Sequence, residues 1–201
     1  MARPSNTEER RQQIVQGLLR VMSERGYERA SIAEIAKAAG LSPGLVHYHF
    51  AEKQEVLLTL VEQLARGVRE RVTARLERTR GGARGRVEAF LEAFLATGDG
   101  ADATAVAAWV TISAEAVRQP EVRAAYEKVV RADLAQLEAL VGEVVDRRRA
   151  RAMAAGLFAA VQGYFVLAAA APGLVPPGSA ASTVKRMAAG LFDAAEAPEA
   201  S

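Results

Sequence analysis

The stretch SIAEIAKAAGLSPGLVHYHFAEK, residues 31–53, decides the fold. Ser31 precedes a segment with apolar residues at helical spacing. Its side chain can accept a hydrogen bond from the amide of Glu34, while the glutamate reaches back to the serine amide. Gly40 follows the last apolar residue of the segment, and glycine is common just past a helix C-terminus. The pattern predicts a short helix that begins after Ser31 and ends at Gly40.

A second short helix follows almost at once. Ser42 can cap it, and Pro43 suits its first position, where a missing amide proton costs no hydrogen bond. Two short helices joined by a turn that contains glycine form a helix-turn-helix unit, which needs backing to bury its apolar face. An amphipathic helix over about residues 7–25 supplies that backing, so residues 1–51 are predicted to form one compact module.

The rest of the chain has helical periodicity and no strand pattern. A long helix is expected from Glu52 until Gly81 and Gly82 break it. Five further helices are expected around residues 84–97, 102–118, 121–145, 148–171 and 180–195. The predicted fold class is therefore all-α with about nine helices, and the chain divides into residues 1–51 and 52–201.

The composition agrees with a helical protein and excludes several functions. Alanine, a strong helix former, occurs 43 times in 201 residues. The absence of cysteine excludes a disulfide scaffold, a cysteine nucleophile and thiolate metal sites, and no cofactor or metal is expected. The 26 basic and 24 acidic side chains give no overall attraction to nucleic acid, so the position of the charges matters more than their sum.

The densest charge lies at residues 66–86, which hold eight arginines against Glu70 and Glu77. This stretch either adds long-range attraction to DNA or forms a solvated surface paired with acids elsewhere, and the second interpretation is favoured.

One segment has the length of a membrane span. Residues 152–171 carry no charge, and eleven of these twenty residues are alanine or glycine. Such residues insert weakly into lipid but let two helices approach closely, which favours a buried or dimer-interface helix over a membrane span. The polar start MARPSNTEERRQQ does not read as a secretory signal, so a cytoplasmic location is expected.

Residues 31–53 resemble the helix-turn-helix of the TetR family of one-component transcriptional regulators. The markers are the capped Ser31 helix, the turn Ala39–Ser42, the segment Tyr48–Phe50, and Lys53 followed by apolar residues 56–58. The resemblance implies a DNA-binding module at residues 1–51 and a ligand-binding and dimerisation domain at residues 52–201.

The resemblance also implies which residues contact DNA. The candidates are Ser31, Ser42, Pro43, Gly44, Leu45, His47, Tyr48, His49 and Lys53. Small or capping residues at the start of the third helix let its backbone approach the major groove, and Tyr48, His49 and Lys53 would contact phosphates. Leu45 stands where the family often has threonine and His47 where it often has tyrosine, so the operator sequence cannot be taken from a relative.

Other roles remain open for several of these side chains. Lys53 can be an ordinary solvated lysine, and Tyr48 or His49 can pack against or cap the end of the third helix. A metal site at His47 and His49 is not expected, because residues two apart on a helix point in different directions and no third ligand lies nearby.

The second domain holds most of the aromatic residues. Aromatic walls with scattered polar groups are typical of a small-molecule pocket between helices, although each aromatic taken singly is more simply explained as core. The predicted pocket residues are Phe94, Trp109, Ser113, Tyr126, Phe158 and Gln162. If Glu115 faced this pocket it would favour a cationic ligand, and surface exposure of Glu115 is equally open. The stretch around Trp109 resembles the choline-responsive BetI branch of the family, which does not by itself identify choline as the ligand.

The helices near residues 148–171 and 180–195 are expected to form a two-fold dimer interface, as is usual in the family. The leading hypothesis is a homodimeric regulator, a repressor that binds a pseudo-palindromic operator and is released when a small molecule binds. One alternative is a helical small-molecule-binding protein without regulated DNA binding. An enzyme is not expected, because both histidines lie in the DNA-reading segment and no acid–base pair or phosphate-binding loop can be assembled elsewhere.

Overall fold

The computed structural model describes residues 6–95 and 103–196, and within these ranges the protein is all-α with nine helices. The helices are α1 (Asn6–Arg25), α2 (Ile32–Ala39), α3 (Pro43–His49), α4 (Lys53–Arg78), α5 (Ala83–Phe94), α6 (Ala103–Arg118), α7 (Pro120–Val141), α8 (Arg147–Ala170) and α9 (Ser179–Glu196). The predicted fold class is confirmed. The expected end of one helix at residue 97 and the expected start of the next at residue 102 lie outside the described residues.

The chain forms two compact units. The first comprises Met1–Ala65 and Thr104–Glu127, and the second comprises Arg66–Ala103 and Lys128–Ser201. The predicted helix-turn-helix module lies wholly in the first unit, together with α6 and the start of α7. Helices α4 and α7 each contribute residues to both units.

The caps of α2 form largely as the sequence predicts. The Ser31 hydroxyl accepts a hydrogen bond from the Glu34 amide at 3.2 Å. Gly40 ends the helix in the left-handed region, with φ 70°, which glycine adopts without strain. The reciprocal half of the predicted capping box is wrong, because the Ser31 amide donates to the Arg29 carbonyl and the Glu34 carboxylate pairs with Arg25 at 3.1 Å.

Helix α3 begins as the sequence predicts. The Ser42 hydroxyl accepts from the Leu45 amide at 3.2 Å, and Pro43 occupies the first turn. Val46 and Phe50 are buried and hold the helix on the module. Only a few residues of α3 are committed to packing, so its remaining side chains are free for another surface.

Helices α1 and α2 approach each other closely at Gly17. A β-carbon at this position would lie 2.7 Å from the Ile35 carbonyl oxygen and 3.1 Å from the β-carbon of Ala39. The buried residues of α1 also include Ile14, Leu18 and Met22. The close approach therefore depends on the absence of a side chain at Gly17.

The second unit is tied together by α5, α8 and α9. Phe90, Leu91 and Phe192 are almost fully buried. Arg84 at the start of α5 forms ion pairs of 2.7 Å with both Asp193 and Glu196 of α9.

The basic stretch 66–86 joins this unit through three of its arginines. Arg84 pairs with α9 as above, Arg75 pairs with Glu92, and Arg86 pairs with Glu143 at 2.9 Å. Paired surface arginines contribute little to long-range attraction. These pairs support the interpretation of the stretch as a solvated, partly neutralised surface.

Helix α7 ends four residues earlier than the sequence predicts. Its last residue is Val141, and the expected end was residue 145. The Gly142 amide still bonds to the Glu138 carbonyl at 2.9 Å, after which the chain forms tighter turns. Asp146 then caps α8 by accepting from the amides of Arg148 and Arg149 at 3.0 and 3.1 Å.

Substitution of Gly17 tests the close approach of α1 and α2. Gly17→Ala should lower the free energy of unfolding by about 1–3 kcal/mol, because the new methyl group meets backbone that cannot rotate away. Urea denaturation followed by circular dichroism measures the change. The matched control is Gly67→Ala in the interior of α4, where the added carbon meets only the end of Arg71 at 3.7 Å. This control should stabilise by about 0.5–1 kcal/mol. Equal effects of the two substitutions would contradict the assignment.

Candidate functional site

One face of helix α3, in the first unit, is exposed to solvent. Ser42, Pro43, Gly44 and His47 are exposed and Leu45 is half-buried. Tyr48 is 78% exposed, the largest value among the exposed large hydrophobic residues of the described chain. The Tyr48 ring therefore contributes little to the core and is accessible to a partner from solvent.

The end of α3 is fixed to α1 and α4 through Arg11. Its guanidinium donates to the His49 carbonyl, forms an ion pair of 3.3 Å with Glu55, and lies 3.9 Å from the centre of the Phe50 ring. The His49 ring packs edge-on against Tyr48 at 5.0 Å. His49 therefore has a packing role, and its predicted phosphate contact stays a prediction.

The half-buried side chain of Lys53 is held by Tyr27. Its Nζ donates to the Tyr27 carbonyl at 3.0 Å and lies 4.1 Å from the centre of the Tyr27 ring. Burial lowers the pKa of Lys53, against the opposing influence of Glu115 and Glu28. Lys53 is thus more than a solvated lysine, and its predicted phosphate contact remains a prediction.

A cluster of polar side chains at the C-terminal end of α6, here called the α6 cluster, comprises Glu115, Arg118, Gln119 and Glu28. Glu115 is only 5% exposed. Its carboxylate accepts from Arg118 at 3.1 Å and from the Gln119 side chain at 2.7 Å. Arg118 also pairs with Glu28, in the loop between α1 and α2, at 2.8 Å. The cluster therefore connects α6 to the helix-turn-helix module within the first unit.

The same cluster shapes the electrostatics of Tyr27. Burial raises the pKa of Tyr27 to about 12, and the negative charges of Glu115 and Glu52 add to the effect. Hydrogen bonds to Glu28 and then to Glu115 raise the pKa of Arg118. The possibility that Glu115 is exposed on the surface is wrong. Its charge is already engaged by protein donors, because a buried carboxylate needs such partners.

The predicted pocket residues fall in both units, three in each. In the first, Trp109 and Tyr126 are half-buried with ring centres 5.1 Å apart, and burial raises the pKa of Tyr126. Ser113 lies on the same helix as Trp109, and its hydroxyl donates to the Val110 carbonyl at 2.7 Å. The structure thus brings Trp109 and Tyr126 together, while the Ser113 hydroxyl is bonded to its own helix.

The other three pocket residues lie in the second unit. Phe94 and Phe158 meet edge to face at 5.7 Å, and Phe94 also stacks on Phe90 at 4.8 Å. Both Phe94 and Phe158 are buried. Gln162 follows one turn after Phe158 on α8 and is half-buried. These contacts are compatible with core packing and with a pocket wall, and the pocket stays a prediction.

Comparison with known proteins identifies the family. Residues 14–60 match the bacterial regulatory proteins of the tetR family, and residues 83–193, more than half of the chain, match the C-terminal domain of the BetI-type transcriptional repressors. The chain belongs to the TetR family. It is a ligand-responsive, DNA-binding transcriptional regulator, which confirms the function predicted at this level.

The TetR-family regulator has relatives along most of its length. The HTH-type transcriptional regulator BetI of Cronobacter sakazakii is 30% identical over 164 residues, which are 80% of this chain and 79% of the relative. A transcriptional regulator from Rhodococcus sp. Rha1 has a TM-score of 0.79 at 24% identity and covers 94% of this chain and 98% of its own. A regulator from Saccharomonospora viridis, solved in complex with choline, has a TM-score of 0.77 at 21% identity and covers 92% and 96%.

Several important residues of this TetR-family regulator escape sequence reasoning. Arg11 bonds to the His49 carbonyl and Glu28 pairs with Arg118. These partners are distant in sequence, so no local pattern indicates either contact. The pairing of Glu115 with Arg118 was visible, because residues three apart share a helix face. The sequence does not reveal that one member of this pair is buried.

The α6 cluster predicts a characteristic non-additive effect. Arg118→Met should lower the melting temperature, because the buried Glu115 carboxylate loses a charged donor. Adding Glu115→Leu should restore at least half of that loss, since the stranded charge is removed as well. Differential scanning calorimetry of both single variants and the double variant measures this.

The control is Arg25→Met, which breaks the exposed Arg25–Glu34 pair and should change stability little. Additive losses in the Glu115–Arg118 pair would contradict the described coupling.

Proposed function

We propose that the protein is a repressor that binds a pseudo-palindromic operator as a homodimer and leaves it when a small molecule binds the C-terminal domain. The observation that carries the proposal is the coexistence of two unpartnered surfaces. One is the exposed face of α3 in the first unit, and the other is an apolar stripe along α8 and α9 in the second.

The stripe, here called the dimer face, has the spacing of one helix side. Its exposed members on α8 are Ala152, Ala155, Gly156, Ala159, Gly163, Val166, Leu167 and Ala170, and on α9 they are Met187, Gly190 and Leu191. Alanine and glycine let two helices pack at short distance, and Val166, Leu167, Met187 and Leu191 supply large apolar groups.

Helix α8 is long and apolar enough to cross a membrane, and only 33% of its most apolar window is buried. A single such helix is weak evidence for a membrane span. The family match over residues 83–193, which includes all of α8, supports a second copy of the chain as the partner instead. The regulator would then act where the chromosome is, in the cytoplasm.

A two-fold dimer explains how a nearly neutral chain binds DNA. Two copies present two α3 helices to adjacent major grooves, about 34–36 Å apart along the duplex. Leu45 and His47 would read base edges, and Tyr48 would contact a phosphate. Dimerisation doubles a small number of contacts, which compensates for the weak net charge.

The effector is proposed to act through α6. The α6 cluster links the last turn of that helix to the loop before α2, so a displacement of α6 is felt by the helix-turn-helix module. The choline complex of the Saccharomonospora viridis regulator supports an organic cation as the effector class.

Operator binding is tested on DNA from upstream of the protein's own gene. Fluorescence anisotropy should show binding that weakens as salt is raised. Tyr48→Ala should weaken it by about 25- to 30-fold, because the dimer loses two phosphate contacts of about 1 kcal/mol each. The control is Val117→Ala, which removes an exposed apolar side chain of similar exposure (71%) outside α3.

Salt-independent binding, or an unchanged affinity in Tyr48→Ala, would contradict the assigned DNA face. Complete absence of DNA binding in the wild type would favour the alternative of a small-molecule-binding protein.

The dimer face is tested by sedimentation equilibrium. The wild type should sediment at twice the chain mass of 21.4 kDa. Ala159→Glu should shift the protein toward the monomer, because it places a charge and bulk where two helices are expected to pack. Ala135→Glu, at an exposed alanine of α7 in the same unit, should leave the mass unchanged. A wild-type monomer, or a dimer insensitive to Ala159→Glu, would refute the proposed interface.

A further inference from the structure

The buried face of α7 contains one acidic residue. Val129, Leu137 and Leu140 form an apolar stripe, and Asp133 lies within it at 5% exposure. The buried polar residues of the described chain are Glu115 and Asp133. Glu115 is satisfied by its cluster, whereas the carboxyl group of Asp133 accepts no hydrogen bond from any described residue. A buried polar group without a partner requires an explanation.

The oxygens of Asp133 are not sealed inside the core. Among the residues that the structure describes, no side-chain oxygen or nitrogen that is fully closed to solvent lacks a hydrogen-bond partner. The unbonded carboxyl group must therefore still touch a space that a water molecule can reach. The Asp133 carboxyl group therefore keeps a small contact with solvent, between apolar residues one turn away on either side.

The position is energetically unfavourable for the protein alone. Burial raises the pKa of Asp133 to about 6, against the opposing influence of Arg69 on α4. At neutral pH the group is still mostly a carboxylate, with lone pairs that no donor occupies. A leucine at this position would continue the stripe and avoid the cost, so the charge serves something other than stability.

We propose that Asp133 anchors the protonated amine group of the effector, which donates its N–H groups to the carboxylate. This inference rests on the proposed function, in which an effector binds the C-terminal domain. The ligand is an amine because an unpaired carboxylate requires both a positive charge and hydrogen-bond donors. A fully methylated ammonium supplies only the charge. A metal ion does not fit, because no group of three or more candidate ligand side chains comes together in the described chain.

Arg69 is the competing cation within the protein. It is exposed, and it acts on Asp133 through its charge without a hydrogen bond. An amine bound at the Asp133 carboxylate replaces this distant charge with direct donors. Removal of Arg69 should therefore strengthen amine binding. If Arg69 and Asp133 only formed a structural pair, the removal of Arg69 would lower stability without strengthening amine binding.

Asp133→Asn removes the buried charge without changing the volume of the side chain, and so tests how much this charge lowers the stability of the protein. The pKa of Asp133 in the folded protein, about 6, lies above the ordinary value of 3.8, so its destabilising effect appears as the pH rises from about 4 through 6. The ligand-free variant should melt at a higher temperature than the wild type above pH 6, and the difference should vanish near pH 4.

Matched amine probes test the binding role. Isothermal titration calorimetry at pH 7.5 compares ethanolamine with choline, and butylamine with butyltrimethylammonium. In the wild type the primary amine of each pair should bind about tenfold more tightly, as expected for a charge-assisted hydrogen bond. Asp133→Asn should lose this preference, and Arg69→Met should strengthen amine binding.

Equal binding of both members of each pair, no binding of any probe, or a preference that survives in Asp133→Asn would overturn the assignment. A wild type that still binds its operator but shows no amine preference would overturn only this inference. A wild type with the amine preference but no DNA binding would instead overturn the proposed function.

Discussion

The contact of α1 with α2 at Gly17 is the constraint on which the DNA-reading surface depends. The Ile35 carbonyl oxygen lies where a side chain at this position would be, so α2 rests almost on the backbone of α1. The turn that follows is short, with Gly40 in the left-handed region and Ser42 already capping the next helix. The orientation of α2 therefore determines that of α3, and with it the direction in which Tyr48 leaves the module.

The two buried acidic residues of the described chain, Glu115 and Asp133, differ in whether hydrogen-bond donors surround their carboxylates. Glu115 is surrounded by donors and joins α6 to the loop before α2, so its burial contributes to the architecture of the first unit. Asp133 has no donor and lies in an apolar stripe of the second unit. A polar cluster whose hydrogen bonds are all made rigidifies its surroundings. A buried carboxylate without donors lowers stability, and a bound ligand that supplies donors can offset that loss. The proposed binding role of Asp133 rests on this contrast with Glu115.

The cations of the first unit are largely engaged inside it. Arg11 holds the end of α3, Lys53 is bound to the Tyr27 carbonyl, and Arg118 bridges two glutamates. These positive charges therefore stabilise the first unit itself and contribute little to a long-range attraction for DNA. In the proposed dimer, the affinity for DNA would depend on a few contacts and on their duplication, which is consistent with a chain whose net charge is only +2.

The sequence by itself determined the features that depend on neighbours along the chain. The Ser31 and Ser42 caps, the stop at Gly40 and the helical periodicity involve residues within a few positions of one another, and all are found in the structure. Tertiary structure decided what depends on burial and on distant partners. Examples are the engagement of Lys53 by Tyr27, the pairing of Arg118 with Glu28, and the burial of Asp133. Periodicity identifies the inner face of a helix, but a charge on that face acquires its pKa and its partners only when other helices remove the water around it.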